Sequence, residues 1–366
     1  MHYGIMISRS DGSRKNIGDY IQSIAASVFI HSPEKYVERE ELSDYVDTEK
    51  IKMILNGWFM WHTEKWPPSD DIKPLIISFH MNPTAASGML SPKGVEYLKA
   101  HAPIGCRDTN TLSLLREQGI PAYFSGCLTL CLGEKYKRDS TDPRKVIFVD
   151  PYCEAFRDVD GRISPRLILS STIYGLLHTS SVRKLFSKFH YNGNDKHKRS
   201  YRVRQFLYVS SFLKTYSTRF FGDVLMNAEY VTHSVFQEDY PTVNNKFSLA
   251  DQLLKKYAQA AFVITSRIHC ALPCLGMQTP VLFVSSERLE SKDASKALHG
   301  TGRLEGLTSL FHCARYRNGT LELPAVYHTE KISYDILGTV ENKTDYLDMK
   351  SGLMEKCLEF LSETVN

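Results

Sequence analysis

The sequence of 366 residues lacks several features that mark particular classes of protein. No window reaches the roughly 18 apolar residues that a membrane-spanning helix needs, because charges, Pro or Gly interrupt every hydrophobic run. The eight cysteines include no Cys-x-x-Cys and the thirteen histidines no His-x-x-x-His, so we expect reduced thiols and no metal site. Lys and Arg number 45 against 41 Asp and Glu, an excess too small for a dedicated nucleic-acid-binding protein.

The amino-terminal residues hold one short apolar run, residues 3–7, which is shorter than the core of a secretory signal peptide. Together with the absence of a disulfide pattern, this predicts an intracellular protein located in the cytoplasm.

Length and periodicity predict two α/β domains, since 366 residues are about twice a typical domain. Short apolar runs alternate with amphipathic stretches, which favours parallel sheets covered by helices in two Rossmann-like halves. A hydrophilic stretch at residues 133–144 is typical of a linker. We therefore predict an amino-terminal domain at 1–135, a carboxyl-terminal domain at 144–345 with an insertion at about 163–216, and a closing helix at 346–366.

One strand, turn and helix stands out at residues 261–284. Pro273 is best tolerated near the start of a helix, so the helix is predicted to begin at about His269 or Cys270, directly after a strand ending at Thr265. This places Ser266, Arg267 and His269 at the carboxyl end of a parallel strand, where open α/β sheets bind ligands and a helix amino terminus favours anions. A structural alternative stays open, in which Arg267 pairs with a core carboxylate and His269 satisfies a helix end.

Further polar or Gly-containing turns follow strands of the first half. They are Asn16-Ile-Gly-Asp19 with Gln22, Asn56-Gly57-Trp58, Gly105-Cys-Arg107-Asp108 and Ser125-Gly126. Asp19 and Asn16 would face the active edge of the sheet, where a sugar hydroxyl could be held or deprotonated. Equally, Asp19 with Gln22 fits a capping box, and Asp108 could simply cap the helix that starts at Thr109.

Two other features of the sequence bear on binding, an Asp-x-Asp triplet and a basic segment. Asp158-Val-Asp160 has the spacing of a metal-binding pair, but the following Gly indicates a turn. Residues 183–204 hold eight Lys or Arg and one Asp among aromatic residues, which is compatible with contact with an anionic membrane or simply with a solvated helix face.

Four segments occur in order along the chain: Asn16-Ile-Gly-Asp with Gln22, Pro103-Ile-Gly-Cys-Arg-Asp, Ser125-Gly-Cys-Leu-Thr-Leu and Ile264-Thr-Ser-Arg-Ile-His-Cys-Ala-Leu-Pro-Cys-Leu-Gly followed by Thr279-Pro-Val. Together they resemble the polysaccharide pyruvyl transferases. The resemblance implies a fold like the GT-B glycosyltransferases, with two Rossmann-like domains facing across a cleft. It also implies that phosphoenolpyruvate donates a pyruvyl group to two hydroxyls of a hexose in a cell-surface polysaccharide precursor, forming a ketal and free phosphate without a metal or cofactor.

By resemblance, residues of the four segments and Asn56 take roles in such a site. The donor would bind to Arg267, His269, Ser266 and Arg107. The acceptor, a hexose-containing and potentially lipid-linked oligosaccharide, would bind to Asn16, Asp19, Gln22 and Asn56. Acid and base catalysis would come from His269, Asp19 and Asp108.

Two alternatives share this fold. A glycosyltransferase of the GT-B type would use a nucleotide sugar, with Glu287 or Glu290 on its ribose. A non-catalytic carbohydrate-binding protein is the other.

Overall fold

A computed structural model describes residues 2–8, 14–139, 141–158, 161–189, 199–286 and 302–363. Within these residues the chain forms two six-stranded sheets, one in each half, and a two-stranded sheet that joins the halves. The strands of both large sheets are parallel except at one edge of the second sheet. The predicted α/β class with parallel sheets is confirmed, whereas the cleft between them stays a prediction.

The first half alternates strands and helices as the periodicity predicts. Its elements are β1 (His2–Ile7), β2 (Arg14–Asn16), α1 (Ile17–Ser27), β3 (Lys35–Glu38), β4 (Ile51–Phe59), β5 (Ile72–Met81), α2 (Ala86–Met89), α3 (Pro92–Ala100), β6 (Ile104–Cys106), α4 (Thr109–Glu117) and β7 (Ala122–Phe124). Short 3₁₀ helices occur at Arg39–Asp44, Thr63–Lys65, Pro83–Ala85 and Leu128–Glu134. The sheet order is β3-β1-β4-β5-β6-β7.

The second half has three helices between residues 165 and 216, within the range for which the sequence predicts an insertion. Its elements are β8 (Asp142–Val149), α5 (Pro165–Leu177), α6 (Thr179–Phe186), α7 (Arg199–Tyr216), α8 (Gly222–Asn227), β9 (Glu229–Val231), β10 (Ser234–Phe236), α9 (Val243–Ala258), β11 (Ala260–Thr265), α10 (Ile268–Gly276), β12 (Val281–Ser286), β13 (His312–Arg317), β14 (Thr320–Glu322), α11 (Tyr334–Leu337) and α12 (Leu347–Ser362). Two 3₁₀ helices lie at Thr308–Leu310 and Ala325–Tyr327. The sheet order is β14-β13-β12-β11-β8-β9.

Both sheets reverse their strand order at one point. In the first sheet the chain runs from β1 outward to β3 and then returns to β4, on the other side of β1. In the second it runs from β8 outward to β9 and then returns to β11, on the other side of β8. Such switch points leave a crevice beyond the carboxyl ends of the two central strands, which is where α/β proteins bind ligands. A ligand site is therefore expected at the turns after β1, β4, β8 and β11.

The two halves share one core. β2 pairs with β10 antiparallel, and the backbone N–H of Ile17 donates to the carbonyl of His233 at 2.8 Å. α1 packs on α9 and α10, and one cluster of buried apolar side chains draws on both halves. At Gly276 the backbone of α10 approaches the carbonyl of Leu130 so closely that a Cβ would overlap it. Gly276, at the end of the segment that begins at Ile264, therefore allows the two halves to pack closely.

The apolar run at residues 230–235 predicts one continuous strand, and this prediction is wrong, because the structure has two separate strands there, β9 and β10. The chain breaks at Thr232 and His233, because the N–H of His233 donates to Asp150 and its carbonyl accepts from Ile17. The following residues then leave the second sheet to pair with β2. α10 also begins at Ile268, slightly earlier than predicted, with Arg267 at its N-cap position.

The closing helix returns to the first half. α12 packs against β5 and the 3₁₀ helix at Leu128–Glu134. The buried ammonium of Lys52 donates to the carbonyls of Phe360 and Glu363, each at 2.6 Å, and so satisfies backbone groups at the end of α12. Lys350 pairs with Glu134 at 2.8 Å. None of the described helices is long and apolar enough to cross a membrane.

Candidate active site

His269 lies where the two halves meet. A Cβ built on Gly18 would be 3.1 Å from Nδ1 of His269, so α10 of the second half reaches the start of α1 in the first. The imidazole is 5% exposed, and its Nε2 has no hydrogen-bond partner among the described residues. Burial, together with the positive charges of Arg107 and Arg303, lowers the pKa of His269 well below its usual value. The imidazole is therefore neutral at physiological pH.

Arg107 follows β6 and is 1% exposed. Its Nη1 donates a long hydrogen bond of 3.5 Å to Gln22, and its Nε lies 3.9 Å from a carboxylate oxygen of Asp108. Neither Nε nor Nη2 makes a hydrogen bond to a described residue. A buried guanidinium with two nitrogens that lack described hydrogen-bond partners is costly, which makes Arg107 a candidate for binding an anion.

Asp108 forms a fully buried pair with His80, whose Nδ1 lies 2.6 Å from its Oδ2. The other carboxylate oxygen accepts the N–H of Thr111 at 2.9 Å, so the predicted capping of α4 is confirmed. Burial would raise the pKa of Asp108, but attraction to His80 and Arg107 outweighs it and holds the pKa below its usual value. Burial lowers the pKa of His80 to about 4. Asp108 is thus an ionised carboxylate held between its neighbours.

Asp19 occupies the third position of α1. The capping box with Asp19 as the cap is wrong, because Asn16 caps the helix by accepting the N–H of Gly18 at 3.2 Å. Gln22 instead donates to Asp19 at 3.3 Å, and Arg39 lies 3.9 Å away. Burial raises the pKa of Asp19, against the lowering influence of Arg39, Arg303 and Arg107. A carboxyl group with a raised pKa suits proton transfer near neutral pH.

Arg267 is not a bare guanidinium, since its Nε donates to Asp150 at 2.7 Å. Arg267 therefore does pair with a carboxylate, as the structural alternative predicted. The side chain nevertheless remains 22% exposed, and its terminal nitrogens make no recorded hydrogen bond to another described residue. Burial would raise the pKa of Asp150, but attraction to Arg267 and His233 outweighs it and keeps the pKa below its usual value. Asp150 follows β8, so this ion pair spans the switch point of the second sheet.

Three further residues predicted for the site hold backbone groups. Ser266 accepts the N–H of Tyr152 at 3.0 Å, and the buried amide of Asn56 donates to the carbonyl of Gln22 at 3.0 Å. Asn16 is exposed at the cap of α1. These contacts order the turns around the site, whatever else the residues bind.

Arg303 was not predicted as a site residue. Burial, reinforced by repulsion from Arg107 and Arg267, lowers its pKa to about 9, while Asp19 and Asp108 oppose the shift. The residue as a whole is partly exposed, and with a pKa of about 9 the guanidinium remains a cation at neutral pH. Nothing in the local sequence around Gly302 and Arg303 marks a strand end or a motif, so only the folded chain reveals this third cation.

An aromatic pair borders the first switch point. Trp58 at the end of β4 lies opposite His80 of β5, and its ring centroid is 4.7 Å from that of Trp61, which is 66% exposed. The guanidinium of Arg39 lies 4.9 Å from the Trp58 centroid. Glu40 accepts the N–H groups of Trp61 and the next residue, which fixes this turn. Exposed, fixed indole rings of this kind can stack on the apolar face of a sugar.

Metal binding finds no support in the part of the chain that is described, where no three His, Cys, Asp or Glu side chains are grouped as ligands. Asp158 forms the predicted turn by accepting the N–H of Arg162 at 2.9 Å. Asp160, Glu287 and Glu290 lie outside the described residues.

Comparison with known proteins gives the family. A sequence model for the polysaccharide pyruvyl transferases matches residues 16–288, about three quarters of the chain. The chain belongs to the polysaccharide pyruvyl transferase family. No curated protein matches it. A solved structure of a protein assigned as a UDP-N-acetylglucosamine 2-epimerase, from Listeria monocytogenes, aligns over 100% of this chain and 98% of its own with 10% identity and a TM-score of 0.33. So low a score carries no argument.

The match to the pyruvyl transferase family begins after β1 and covers the ends of β4, β8 and β11. It includes Asn16, Arg107 and His269 but ends before Arg303 and α12. The chain is thus a member of a transferase family, and the family pattern covers most of the residues gathered above.

Proposed function

We propose that this protein moves the pyruvyl group of phosphoenolpyruvate onto two hydroxyls of a hexose in a polysaccharide precursor, forming a cyclic ketal and releasing phosphate. Membership of the family supports the reaction class. The observation that carries the donor assignment is Arg107, a buried guanidinium with two N–H groups that meet no described partner. Phosphoenolpyruvate has a carboxylate and a phosphate on a three-carbon frame, and such groups match guanidinium geometry.

The donor would occupy the junction of the two halves. Arg107 and His269 present unsatisfied buried nitrogens there, and Arg303 adds a cation within electrostatic range of Arg107 and Arg267. Arg267 would use its terminal nitrogens, while Asp150 holds its Nε edge. The free N–H groups at the start of α10 add a further attraction for an anion.

The reaction needs proton transfers, and the pKa values of the site residues limit which of them can carry these out. A proton added to the donor methylene makes C2 electrophilic, and a sugar hydroxyl then attacks C2 and gives its proton to a base. A second hydroxyl of the sugar next attacks C2 and closes the ring, as phosphate leaves with the C2–O bonding pair and takes up the proton of this hydroxyl. Because the pKa of His269 is low, its cation is scarce, so we assign His269 to hydrogen bonding with the donor. Asp19, with its raised pKa, is the candidate base for the hydroxyl. Asp108 is assigned to holding His80 and Arg107 in place.

The acceptor would lie on the first half. Trp58 and Trp61 offer aromatic surface beside Arg39 and Asp19, and Gln22 and Asn56 order the turn between them. A lipid-linked oligosaccharide is compatible with this arrangement. We place the reaction in the cytoplasm, at or near the inner face of the cell membrane, with no metal or cofactor beyond the donor.

Phosphorus NMR tests this proposal directly. The protein is incubated with a polysaccharide-repeat acceptor and either phosphoenolpyruvate or nucleotide sugars. Acceptor-dependent release of inorganic phosphate from phosphoenolpyruvate is expected. Release of a nucleoside diphosphate would instead establish a glycosyltransferase, and consumption of neither donor would favour a binding protein.

Substitution of Arg267 refines the donor site. Arg267→Ala should lower kcat/KM for phosphoenolpyruvate by about 10²-fold or more, since a charge-assisted contact to a phosphate or carboxylate contributes about 1.5–3 kcal/mol per hydrogen bond. Arg315→Ala, which removes an exposed side chain on β13, is the matched control and should leave the rate unchanged. Full ketal formation by Arg267→Ala would remove Arg267 from the donor site.

A further inference from the structure

The helix α5 exposes a stripe of large apolar side chains. Its members are Leu169, Ile173, Leu176 and Leu177, which are between 49% and 76% exposed. Their spacing of three, four and seven or eight residues places them within about 100° of the helix circumference. Monomeric soluble proteins seldom leave such a stripe in water, so it indicates a contact surface.

The opposite face of α5 is fixed to the protein. Ser171 and Gly175 are buried, and a Cβ on Gly175 would overlap Ser210 and Phe206 of α7. Lys214 of α7 also donates to Ser170 at 3.0 Å. Because small residues set this close packing, the apolar stripe cannot rotate inward without separating the two helices.

The segment that carries the stripe is basic. Residues 161–216 contain eleven Lys or Arg and a single acidic residue, Asp195, which lies outside the described residues. The exposed basic residues on α5, α6 and α7 and in the flanking turns are Arg162, Arg166, Arg183, Lys184, Lys188, Arg202 and Arg204. Lys188 donates to the carbonyl of Met226, and Arg204 lies over the ring of Phe156. Neither contact neutralises the positive charge of the side chain.

We propose that α5 docks this protein on the surface of an anionic lipid bilayer, with the apolar stripe at the acyl boundary and the basic residues among the headgroups. The helix has 13 residues, too few to span a bilayer, but an apolar face flanked by Lys and Arg is the pattern of an interfacial helix. Lys and Arg can extend their charged ends towards phosphates while their stems cover apolar surface. An anionic bilayer matches both the charge and the apolar stripe.

Docking would hold the catalytic region near the membrane. β8 ends beside Asp150, the partner of Arg267, and α5 is the next helix along the chain. The N–H of Tyr152 in this connection donates to Ser266, so the connection is tied to the turn after β11. A lipid-linked acceptor would therefore meet the enzyme at the surface that carries it. The docking itself does not depend on the proposed function.

Vesicle sedimentation tests the docking. Full-length protein is mixed with vesicles of phosphatidylcholine alone or with phosphatidylglycerol added. Binding to the anionic vesicles should exceed binding to the neutral ones at least tenfold and should weaken as salt is raised. The triple variant Leu169→Ser, Ile173→Ser, Leu177→Ser and the double variant Arg183→Glu, Lys184→Glu should each lose at least tenfold in binding.

Matched controls use exposed residues elsewhere. Leu358→Ser on α12 and the double variant Lys93→Glu, Lys99→Glu on α3 should bind vesicles as the wild type does. All these side chains are exposed, so the urea midpoint should be unchanged and should confirm folding.

Three outcomes would overturn the docking: no binding of the wild type to anionic vesicles, undiminished binding of the α5 variant, or equal loss in the controls. Wild-type dimers that the triple α5 variant converts to monomers, without vesicle binding, would instead assign the stripe to a second copy of this chain. Phosphate release with a soluble acceptor is measured in parallel. It should persist in the α5 variants, so failure of docking and failure of the proposed reaction are separable.

Discussion

Replacing Arg107 with Met separates a functional guanidinium from a structural one. Met has a similar length and no polar group that needs a partner, so Arg107→Met removes the buried charge without opening a large cavity. If Arg107 serves a bound anion, the protein without ligand carries a cost that the substitution relieves. If it serves the fold, the substitution should destabilise the protein.

The expected magnitudes follow from its contacts. Each unsatisfied buried N–H costs about 1–3 kcal/mol, so Nε and Nη2 together cost about 2–6 kcal/mol. The substitution also removes the 3.5 Å hydrogen bond of Arg107 to Gln22 and its 3.9 Å ion pair with Asp108. Asp108 would keep its contact with His80 and its hydrogen bond from the N–H of Thr111. We expect a net stabilisation of about 0–3 kcal/mol. Loss of two charge-assisted hydrogen bonds should weaken phosphoenolpyruvate binding by about 10²- to 10⁴-fold.

Urea denaturation followed by tryptophan fluorescence measures the stability, since all three tryptophans lie in the same half as Arg107. Phosphoenolpyruvate at a hundred times its Kd should stabilise the wild type by about 2.7 kcal/mol and should leave Arg107→Met unaffected. The matched control is Arg39→Met. Arg39 is equally buried but donates to Ser8 at 3.1 Å and Glu40 at 3.2 Å, so its loss should destabilise by about 3 kcal/mol.

The reasoning would be refuted if Arg107→Met lowered stability as much as Arg39→Met and still gained the full stabilisation from phosphoenolpyruvate. Arg107 would then belong to the fold, and the donor site would have to lie elsewhere.

Three further predictions concern pH, the acceptor and the family motif. Burial lowers the pKa of His233 to about 4, so the unfolded chain binds a proton below about pH 6.5 that the folded chain does not bind. His233 should therefore contribute about 3 kcal/mol to the fall in stability between pH 6.5 and 4, in addition to the contributions of His80 and His269, and His233→Gln should show a shallower fall in urea midpoints. Trp61→Ala should raise KM for the sugar acceptor about tenfold and leave KM for phosphoenolpyruvate unchanged. Tyr36 is also exposed, and Tyr36→Ala should change neither KM. An unaltered acceptor KM in Trp61→Ala would show that the aromatic pair does not bind the acceptor. Gly276→Ala should destabilise the protein by about 2 kcal/mol, because the added Cβ overlaps the Leu130 carbonyl. Gly352 has open space around it, so Gly352→Ala should not destabilise the protein. Equal urea midpoints for the two variants would contradict the close approach at Gly276.

Prediction from the sequence succeeded where the signal is local. The alternation of apolar and amphipathic segments fixes strands and helices, because side-chain periodicity follows from backbone geometry. The cap at Asp108 and the turn at Asp158 depend on neighbours a few residues away and were recognised as such. The break at His233 was missed because its cause lies in Asp150 and Ile17, on other elements.

The sequence by itself determined an α/β protein whose reactive side chains follow strands, with Arg267 and His269 at the end of β11 and Arg107 after β6. Only the tertiary structure decided what surrounds them. Arg267 finds Asp150 at a separation of 117 residues, Arg303 joins the cations from outside the matched region, and α12 closes on the first sheet. The physical reason is that local periodicity sets where each strand ends, whereas the order of strands in the sheets sets which ends become neighbours.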